Sequence, residues 1–270
     1  VTLLGYDLPE RRVQPGGALS ITVYWQARRA LQRHYVVFNH LLNQADLRQY
    51  GGRDRVPRDY YSTMLWAAGE VVRDDYLVPV DSDAPPGVYR LDIGMYIELA
   101  GQARSLPLMA DGTPLEASSV VIAPIKVGGP PPDVTVSHPR PQQARADRLG
   151  EQVTLIGFDL QSEADSMLLT LYWRCDSPLM ADYTTFVHML DASGQLVTQL
   201  DRPPAEGAYP SSLWEPGEVI RDQLRLPLAS TIPPGEYTLK VGLYQLSSGA
   251  RLSAQGSSDG SITLTKVSWP

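Results

Sequence analysis

The residues best suited to chemistry include two histidines that occupy matching places in two halves of the chain. His40 stands in Phe-Asn-His-Leu and His188 stands in Phe-Val-His-Met. Each follows a phenylalanine by two positions, so on a strand the two rings share one face. Such a histidine can serve as a ligand or an acid–base group, but we favour a hydrogen-bonded imidazole at the core edge. No second His or Cys lies at zinc-ligand spacing, so the sequence predicts no metal site and no cofactor.

Two carboxylates are also repeated. Glu70 and Asp74 recur as Glu218 and Asp222 in the same Glu-Val-x-Arg-Asp frame. Glycoside hydrolases hold their paired carboxylates about 5–9.5 Å apart, whereas residues four apart on a strand are separated by ~13 Å. We therefore interpret the glutamate as a turn cap and expect an Arg–Asp pair on the sheet surface. A hydrolase is the least favoured function, and the fragment is predicted not to be an enzyme.

Aromatic side chains in or next to the least regular segments, 51–65 and 201–213, are the best candidates for binding, because irregular segments on a rigid sheet commonly carry function. The candidate ligand-binding residues are Tyr60, Tyr61, Trp66, Gln199, Asp201, Tyr209 and Trp214. Exposed rings can stack on sugar faces while the carboxylate and amide bind hydroxyl groups. The alternative interpretation is that Trp66 and Trp214 anchor the irregular segments onto the fold.

The element that must position these residues is a duplicated stretch, 66–96 and 214–244. Fifteen of its 31 positions are identical at a constant offset of 148. Each copy contains Pro-Pro-Gly, which predicts a turn, followed by apolar residues at period two, which predicts a half-buried strand. Tyr89 and Tyr237 begin that strand as a tyrosine corner does in immunoglobulin-like domains. The sequence therefore predicts an all-β fold of two tandem immunoglobulin-like antiparallel sandwiches.

The repeat sets the domain boundaries. We predict one sandwich over residues 1–127, a proline-rich linker over 128–143 and a second sandwich over 144–270. Proline at this density predicts a semi-rigid spacer that holds the domains apart. Trp25 and Trp173 follow the period-two pattern of an early strand and are predicted core residues. Gly5 and Gly157 interrupt the first strand of each copy, where a bulge or a close backbone approach is expected.

Composition excludes several classes of partner. The net charge of the 270 residues is −7 and no basic stripe is present, which argues against nucleic acid. No apolar run approaches the ~18 residues that a membrane helix requires, so this fragment is not expected to insert into a membrane. Cys175 is the single cysteine and is predicted to be an inert, buried side chain. The chain begins at Val1 within a strand, and we expect it to be part of a longer protein.

With these motifs in view, the chain resembles extracytoplasmic β-sandwich repeats that follow the membrane part of some bacterial polytopic glycosyltransferases, similar to the dolichyl-phosphate-mannose–protein mannosyltransferase type. The second copy carries the resemblance in Phe186-Val187-His188, Gln199-Leu200-Asp201, Tyr209-Pro210, Trp214 and Gly217-Glu218-Val219. The first copy departs from it at Arg53-Asp54-Arg55-Val56-Pro57 and Tyr60-Tyr61-Ser62. The resemblance implies a non-catalytic, extracytoplasmic appendage attached to a membrane domain.

Two functions follow from these observations as expectations. The first is an accessory module that binds a glycan or positions a glycosylated acceptor for a membrane glycosyltransferase. It rests on the aromatic residues of the irregular segments and on the resemblance. The second is a structural or protein–protein spacer without a small ligand, which the proline linker and the scarcity of catalytic motifs favour.

Overall fold

The computed structural model describes residues 1–269 and divides them into two compact units, Val1–Gly129 and a second that begins at Pro130. Each unit is an immunoglobulin-like antiparallel β-sandwich, as the sequence predicts. None of the described helices is long and apolar enough to cross a membrane.

The first sandwich contains the strands β1 (Thr2–Asp7), β2 (Arg12–Val13), β3 (Ala18–Gln26), β4 (Val36–Asn43), β5 (Gln49–Gly52), β6 (Val71–Pro79), β7 (Gly87–Leu99), β8 (Gln102–Ser105), β9 (Met109–Ala110), β10 (Thr113–Pro114) and β11 (Ser119–Val127). One sheet has the order β1-β3-β6. The other has the order β2-β11-β7-β4-β5, with β8 also paired to β7 and with β2 parallel to β11. The short strands β9 and β10 pair with each other in a separate two-stranded sheet. Two short 3-10 helices, Pro57–Asp59 and Thr63–Leu65, lie in the irregular segment between β5 and β6.

The second sandwich contains β12 (Gln143–Leu149), β13 (Val153–Ser162), β14 (Ser166–Cys175), β15 (Thr184–Leu190), β16 (Leu196–Arg202), β17 (Val219–Pro227), β18 (Gly235–Tyr244) and β19 (Ile262–Trp269). Its sheets have the orders β12-β13-β14-β17 and β16-β15-β18-β19. The 3-10 helices Pro204–Gly207 and Ser211–Leu213 lie between β16 and β17, as the two 3-10 helices of the first sandwich lie between β5 and β6.

The core is built from the period-two faces of these strands. Alternate residues of β3 and β14 point inward, and Trp25 and Trp173 are 5% and 0% exposed, which confirms both as core residues. Cys175 is buried on the same face of β14 as Trp173, as predicted. Its thiol lies 3.3 Å from the carbonyl oxygen of Ser177.

The predicted tyrosine corner is present in both sandwiches. Tyr89 donates its hydroxyl hydrogen to the carbonyl oxygen of Pro85 at 2.7 Å, and Tyr237 donates to Pro233 at 2.6 Å. The expected bulges are also found, since the register between strands slips at Gly5 in β1 and at Gly157 in β13. The tyrosine hydrogen bonds fix where β7 and β18 begin, and the bulges fix where β1 and β13 bend.

The proline-rich segment differs from the predicted spacer. Val136 donates its amide to the carbonyl oxygen of Val219, and Arg221 donates to Val134, both at 2.9 Å. Thr135 thereby forms an antiparallel bridge to Ile220 on the edge of β17. Residues 134–136 therefore belong to the second sandwich, because their β-branched side chains and free amides allow pairing that the neighbouring prolines forbid.

Candidate functional site

Three of the predicted sugar-stacking rings lie in the core. Trp66, Tyr209 and Trp214 are 1%, 0% and 0% exposed, so the expectation that they form an exposed binding platform is wrong. The indole of Trp214 donates to the carbonyl oxygen of Tyr209 at 3.0 Å. The hydroxyl group of Tyr209 contacts Glu218 at 2.6 Å. These contacts hold the irregular segment onto the sandwich, which is the anchoring interpretation.

The two tyrosines of the first irregular segment are less completely covered. Tyr61 is half-buried, its hydroxyl group donates to Glu70 at 2.8 Å, and its ring lies 6.4 Å from that of Trp66. Tyr60 is 73% exposed and the guanidinium of Arg58 lies 5.8 Å from its ring centre. Of the five aromatic candidates, Tyr60 is therefore the one that faces solvent freely.

The two glutamates cap turns, as predicted. The carboxylate of Glu70 accepts the amide of Ala67 at 2.8 Å, and that of Glu218 accepts the amide of Glu215 at 2.9 Å. Each glutamate also bonds the tyrosine of its own irregular segment. The glutamate therefore joins the Trp-x-x-Gly-Glu turn to the anchored segment.

The two aspartates are not on the sheet surface, where the sequence analysis placed them. Asp74 and Asp222 are both 0% exposed. They lie on the inward face of β6 and β17, since they alternate in phase with buried apolar residues of those strands. The expected pairing with the preceding arginine is therefore wrong, and Arg73 instead binds Asp75 at 3.0 Å.

Each buried aspartate fastens an irregular segment through one backbone amide. Asp74 accepts the amide of Arg58 at 2.8 Å, and Asp222 accepts that of Ala205 at 3.0 Å. Both donors have left-handed backbone conformations, with φ of 56° and 50°. A non-glycine residue in that region costs about 1–3 kcal/mol and persists where its surroundings hold it. The two segments thus share a conformation although their sequences differ.

The surface that combines aromatic and polar groups is the outer face of the sheet that contains β4 or β15, which we call the histidine face. In the second sandwich, Phe186 and His188 lie side by side with ring centres 4.8 Å apart, and Tyr244 lies 6.3 Å from Phe186. The first sandwich repeats this with Phe38, His40 and Tyr96 at 4.8 and 6.5 Å. The histidine face is therefore a duplicated feature.

A glycine on the neighbouring strand makes room for each phenylalanine. A Cβ atom at Gly242 would lie 2.5 Å from the ring of Phe186, and one at Gly94 would lie 2.4 Å from that of Phe38. The glycine of the repeated Gly-x-Tyr motif is thus required by a ring lying flat across the strand. Phe186 is 1% exposed because the guanidinium of Arg251 covers its other side at 4.2 Å.

On the histidine face of the second sandwich, which we call the second histidine face, polar side chains lie on three adjacent strands, β16, β15 and β18. Gln199 and Lys240 lie directly opposite His188 on the two neighbouring strands. Asp201 lies opposite Phe186, and its carboxylate accepts a hydrogen bond from Gln199 at 3.3 Å. Gln199 and Asp201, two of the predicted residues, are exposed and lie together, whereas Tyr209 and Trp214 lie in the core.

A loop adds further charge to this face. Asp259 lies 3.2 Å from the amine of Lys240 and accepts hydrogen bonds from Ser257 and Ser261. Those serine hydroxyl groups hold the pKa of Asp259 well below its usual value. Burial, and secondly the charge of Arg251, lowers the pKa of His188. The lowered pKa favours the neutral imidazole, which offers both a donor and an acceptor nitrogen.

The first histidine face is poorer in hydrogen-bonding groups. His40 is flanked by Gly52 and Asp92 rather than by a glutamine and a lysine. Its Nε2 atom already lies 2.9 Å from the carboxylate of Asp54. Burial, and secondly Asp54, raises the pKa of Tyr96. The histidine of this sandwich is thus occupied by an internal partner.

Sequence reasoning missed Lys240, Arg251 and Asp259 as parts of the second face. Lys240 is the outward residue opposite His188 and could have been found from strand pairing. Arg251 and Asp259 lie between β18 and β19, beyond the duplicated stretch. Within residues 1–269, no group of three or more His, Cys, Asp or Glu side chains is arranged to hold a metal ion. The face can hydrogen-bond hydroxyl groups, and its accessible ring is that of Tyr244, which is half-buried.

No protein-family model matches the chain, and no curated protein matches it. Among solved structures, the chain is weakly similar to Escherichia coli alpha-2-macroglobulin in its native conformation, with 10% identity over 98% of this chain and a TM-score of 0.25. The chain spans 14% of the length of that protein. This likeness is too weak to add to the fold or to the function.

Proposed function

We propose that the chain is a non-catalytic, extracytoplasmic module that binds a glycan through the histidine face of its second sandwich. The resemblance of the sequence to sandwich repeats of membrane glycosyltransferases supports an accessory role beside such an enzyme. In that role the module would hold the glycan of an acceptor near the membrane domain of the parent protein.

One observation carries the proposal. Gln199, Asp201 and His188 lie on adjacent strands of one exposed sheet face, and Tyr244 borders them. Burial, and secondly Asp201, raises the pKa of the Tyr244 hydroxyl group, which stays protonated and can donate a hydrogen bond. Ligand sites combine an apolar surface with a few placed polar groups, and this face provides both. The surface differs from the one expected from sequence, since Gln199 and Asp201 stay in it while Tyr209 and Trp214 leave it.

The direct test is a glycan-array screen of the folded fragment with and without calcium, followed by titration of the strongest hit. We expect specific binding that does not need calcium, because no ligand cluster for a cation is formed among the described residues. The double variant Gln199→Ala/Asp201→Ala should weaken that binding at least tenfold. Each lost hydrogen bond contributes about 0.5–1.5 kcal/mol, and more if it involves the carboxylate.

A matched control is Gln161→Ala, which removes an exposed amide from β13 in the other sheet of the same sandwich. It should leave the affinity unchanged. A blank array with protein shown to be folded by circular dichroism would refute glycan binding. Equal affinity of the double variant and the control would refute this location for the site.

A further inference from the structure

The outer edge of β17 is partly occupied by the chain's own residues. Residues 134–136 pair with Val219 and Arg221, antiparallel to β17. Along an antiparallel strand, the backbone groups of every second residue point toward the same neighbour. The amide and carbonyl groups of Gln223 and Arg225 therefore point to the same side as those of Arg221, away from β14.

Proline ends this pairing before it reaches Gln223. Continuing the register from Thr135 opposite Ile220 would set Pro132 opposite Gln223. Proline has no amide hydrogen to donate, and the amide of Val134 turns back to the carbonyl oxygen of Pro131 at 3.3 Å. Within residues 1–269, no hydrogen bond joins the outward backbone groups of Gln223 and Arg225 to another strand or loop.

The first sandwich closes the same edge with a side chain. Arg55 donates to the carbonyl oxygen of Asp75 at 2.6 Å, and Asp75 is the residue aligned with Gln223. Arg202 lies opposite Thr185 on β15 as Arg55 lies opposite Val37 on β4, so the two arginines hold matching places. Arg202 instead extends along the surface to Glu206 at 2.9 Å. The carbonyl oxygen of Gln223 therefore lacks the arginine cap that its counterpart has.

A cleft of about 460 Å³ adjoins this open edge, and Leu168, Leu200, Arg202, Gln223, Arg225 and Pro227 are among its lining residues. Leu168 and Leu200 supply apolar surface. Arg202 is paired with Glu206, and Arg225 is paired with Glu163. The charged residues of the lining are these two arginines and two carboxylates, Asp165 and Glu206, so the cleft favours a segment without net charge.

We propose that the edge of β17 at Gln223 and Arg225 binds an extended segment of a partner polypeptide, paired antiparallel to β17. An exposed strand edge binds peptides in this way through main-chain hydrogen bonds, while alternate side chains enter adjoining pockets. The segment should be uncharged and rich in β-branched residues, as is Val134-Thr135-Val136, which occupies the neighbouring stretch of the same edge. This site is distinct from the histidine face and does not depend on glycan binding.

The probe is the capped peptide acetyl-Thr-Val-Thr-Val-Thr-amide at millimolar concentration, added to the full fragment. Amide hydrogen exchange, followed by NMR, should slow at least tenfold at Gln223 and Arg225. Two further peptides carry N-methyl groups on alternate residues, one on the odd-numbered and the other on the even-numbered residues. The peptide that lacks the amide hydrogens facing the edge should give no protection, whereas the other should protect as the unmethylated peptide does.

A pair of variants tests the protein side. Gln223→Pro removes the outward amide hydrogen and should abolish protection at Arg225, whereas Gln223→Thr keeps that hydrogen and should bind as the unaltered chain does. If Gln223→Pro does not fold, the N-methylated peptides decide. Absence of protection, or equal binding of both N-methylated peptides, would overturn the proposal. Concentration-dependent protection of the same amides without peptide would assign the edge to a second copy of the chain and would also overturn it.

Discussion

The two sandwiches bury an aspartate at the same place but surround it differently. Asp74 lies 2.8 Å from the guanidinium of Arg55 and accepts the hydroxyl hydrogen of Tyr76 at 2.5 Å. Asp222 has neutral donors instead, Thr185 at 2.7 Å and the indole of Trp173 at 3.3 Å. The carboxylate is compensated by a charge in one sandwich and by dipoles in the other.

This difference has consequences at the surface. Arg55 is drawn inward to 9% exposure, and from there it also caps the edge of β6. In the second sandwich Thr185 and Trp173 bond the buried carboxyl group of Asp222, and Arg202 lies at the surface beside the cleft. The strand edge is therefore capped in the sandwich where the buried aspartate binds an arginine, and it is uncapped in the other.

The largest expected effect comes from Arg55→Met. It leaves Asp74 buried without its cation, and breaking a buried pair costs about 3–5 kcal/mol. The matched variant Arg202→Met removes an exposed arginine and should change stability by less than about 0.5 kcal/mol. Native-state hydrogen exchange of core amides reports each sandwich separately. Similar losses in both variants would show that the two arginines do not differ as described.

A smaller effect is expected where the sandwiches agree. Tyr89→Phe and Tyr237→Phe each remove one hydroxyl group that bonds a proline carbonyl. Each should cost about 0.5–1.5 kcal/mol in its own sandwich, because one hydrogen bond of similar geometry is lost. The same exchange measurement checks this. A large difference between the two variants would contradict the equivalence of the corners.

The smallest effect is a pH dependence confined to the second sandwich. Burial raises the pKa of Asp222, so the folded state holds this proton more tightly than the unfolded state does. The stabilisation from this proton is complete below the unfolded pKa of about 3.9 and is lost as the pH rises through the folded pKa.

We therefore expect the difference in unfolding free energy between the unaltered chain and Asp222→Asn to change with pH in that window. The unaltered chain should become less stable relative to the variant as the pH rises. Taking the difference cancels the other carboxylates, including Asp259, whose lowered pKa acts in the opposite direction. Urea unfolding at a series of pH values measures it. A stability difference that stays constant from pH 3 upward would contradict the raised pKa.

Local patterns were sufficient to predict much of the fold. The tyrosine corner, the core positions of Trp25 and Trp173 and the bulge at Gly157 each depend on a few adjacent residues and their alternation. The same alternation places Asp74 in phase with Val72 and Tyr76, so its burial could have been predicted from the sequence.

Other features depend on contacts between distant segments. Arg55 and Arg202 occupy aligned positions, yet nothing near either residue shows which one turns inward. Arg251 and Asp259 reach the second histidine face from the segment between β18 and β19, which lies beyond the duplicated stretch, so the repeat could not reveal them. Burial of Tyr209 and Trp214 likewise depends on how the irregular segment folds back onto the sandwich.

The most direct test of glycan binding by the second sandwich is residue-level mapping of an array-identified glycan by NMR. Backbone and side-chain signals of His188, Gln199, Asp201 and Tyr244 should shift as the glycan is added. The aligned positions of the first sandwich, His40, Asp54 and Tyr96, should stay unchanged. Shifts centred on Tyr60 and Tyr61, or equal shifts on both histidine faces, would contradict glycan binding by the histidine face of the second sandwich.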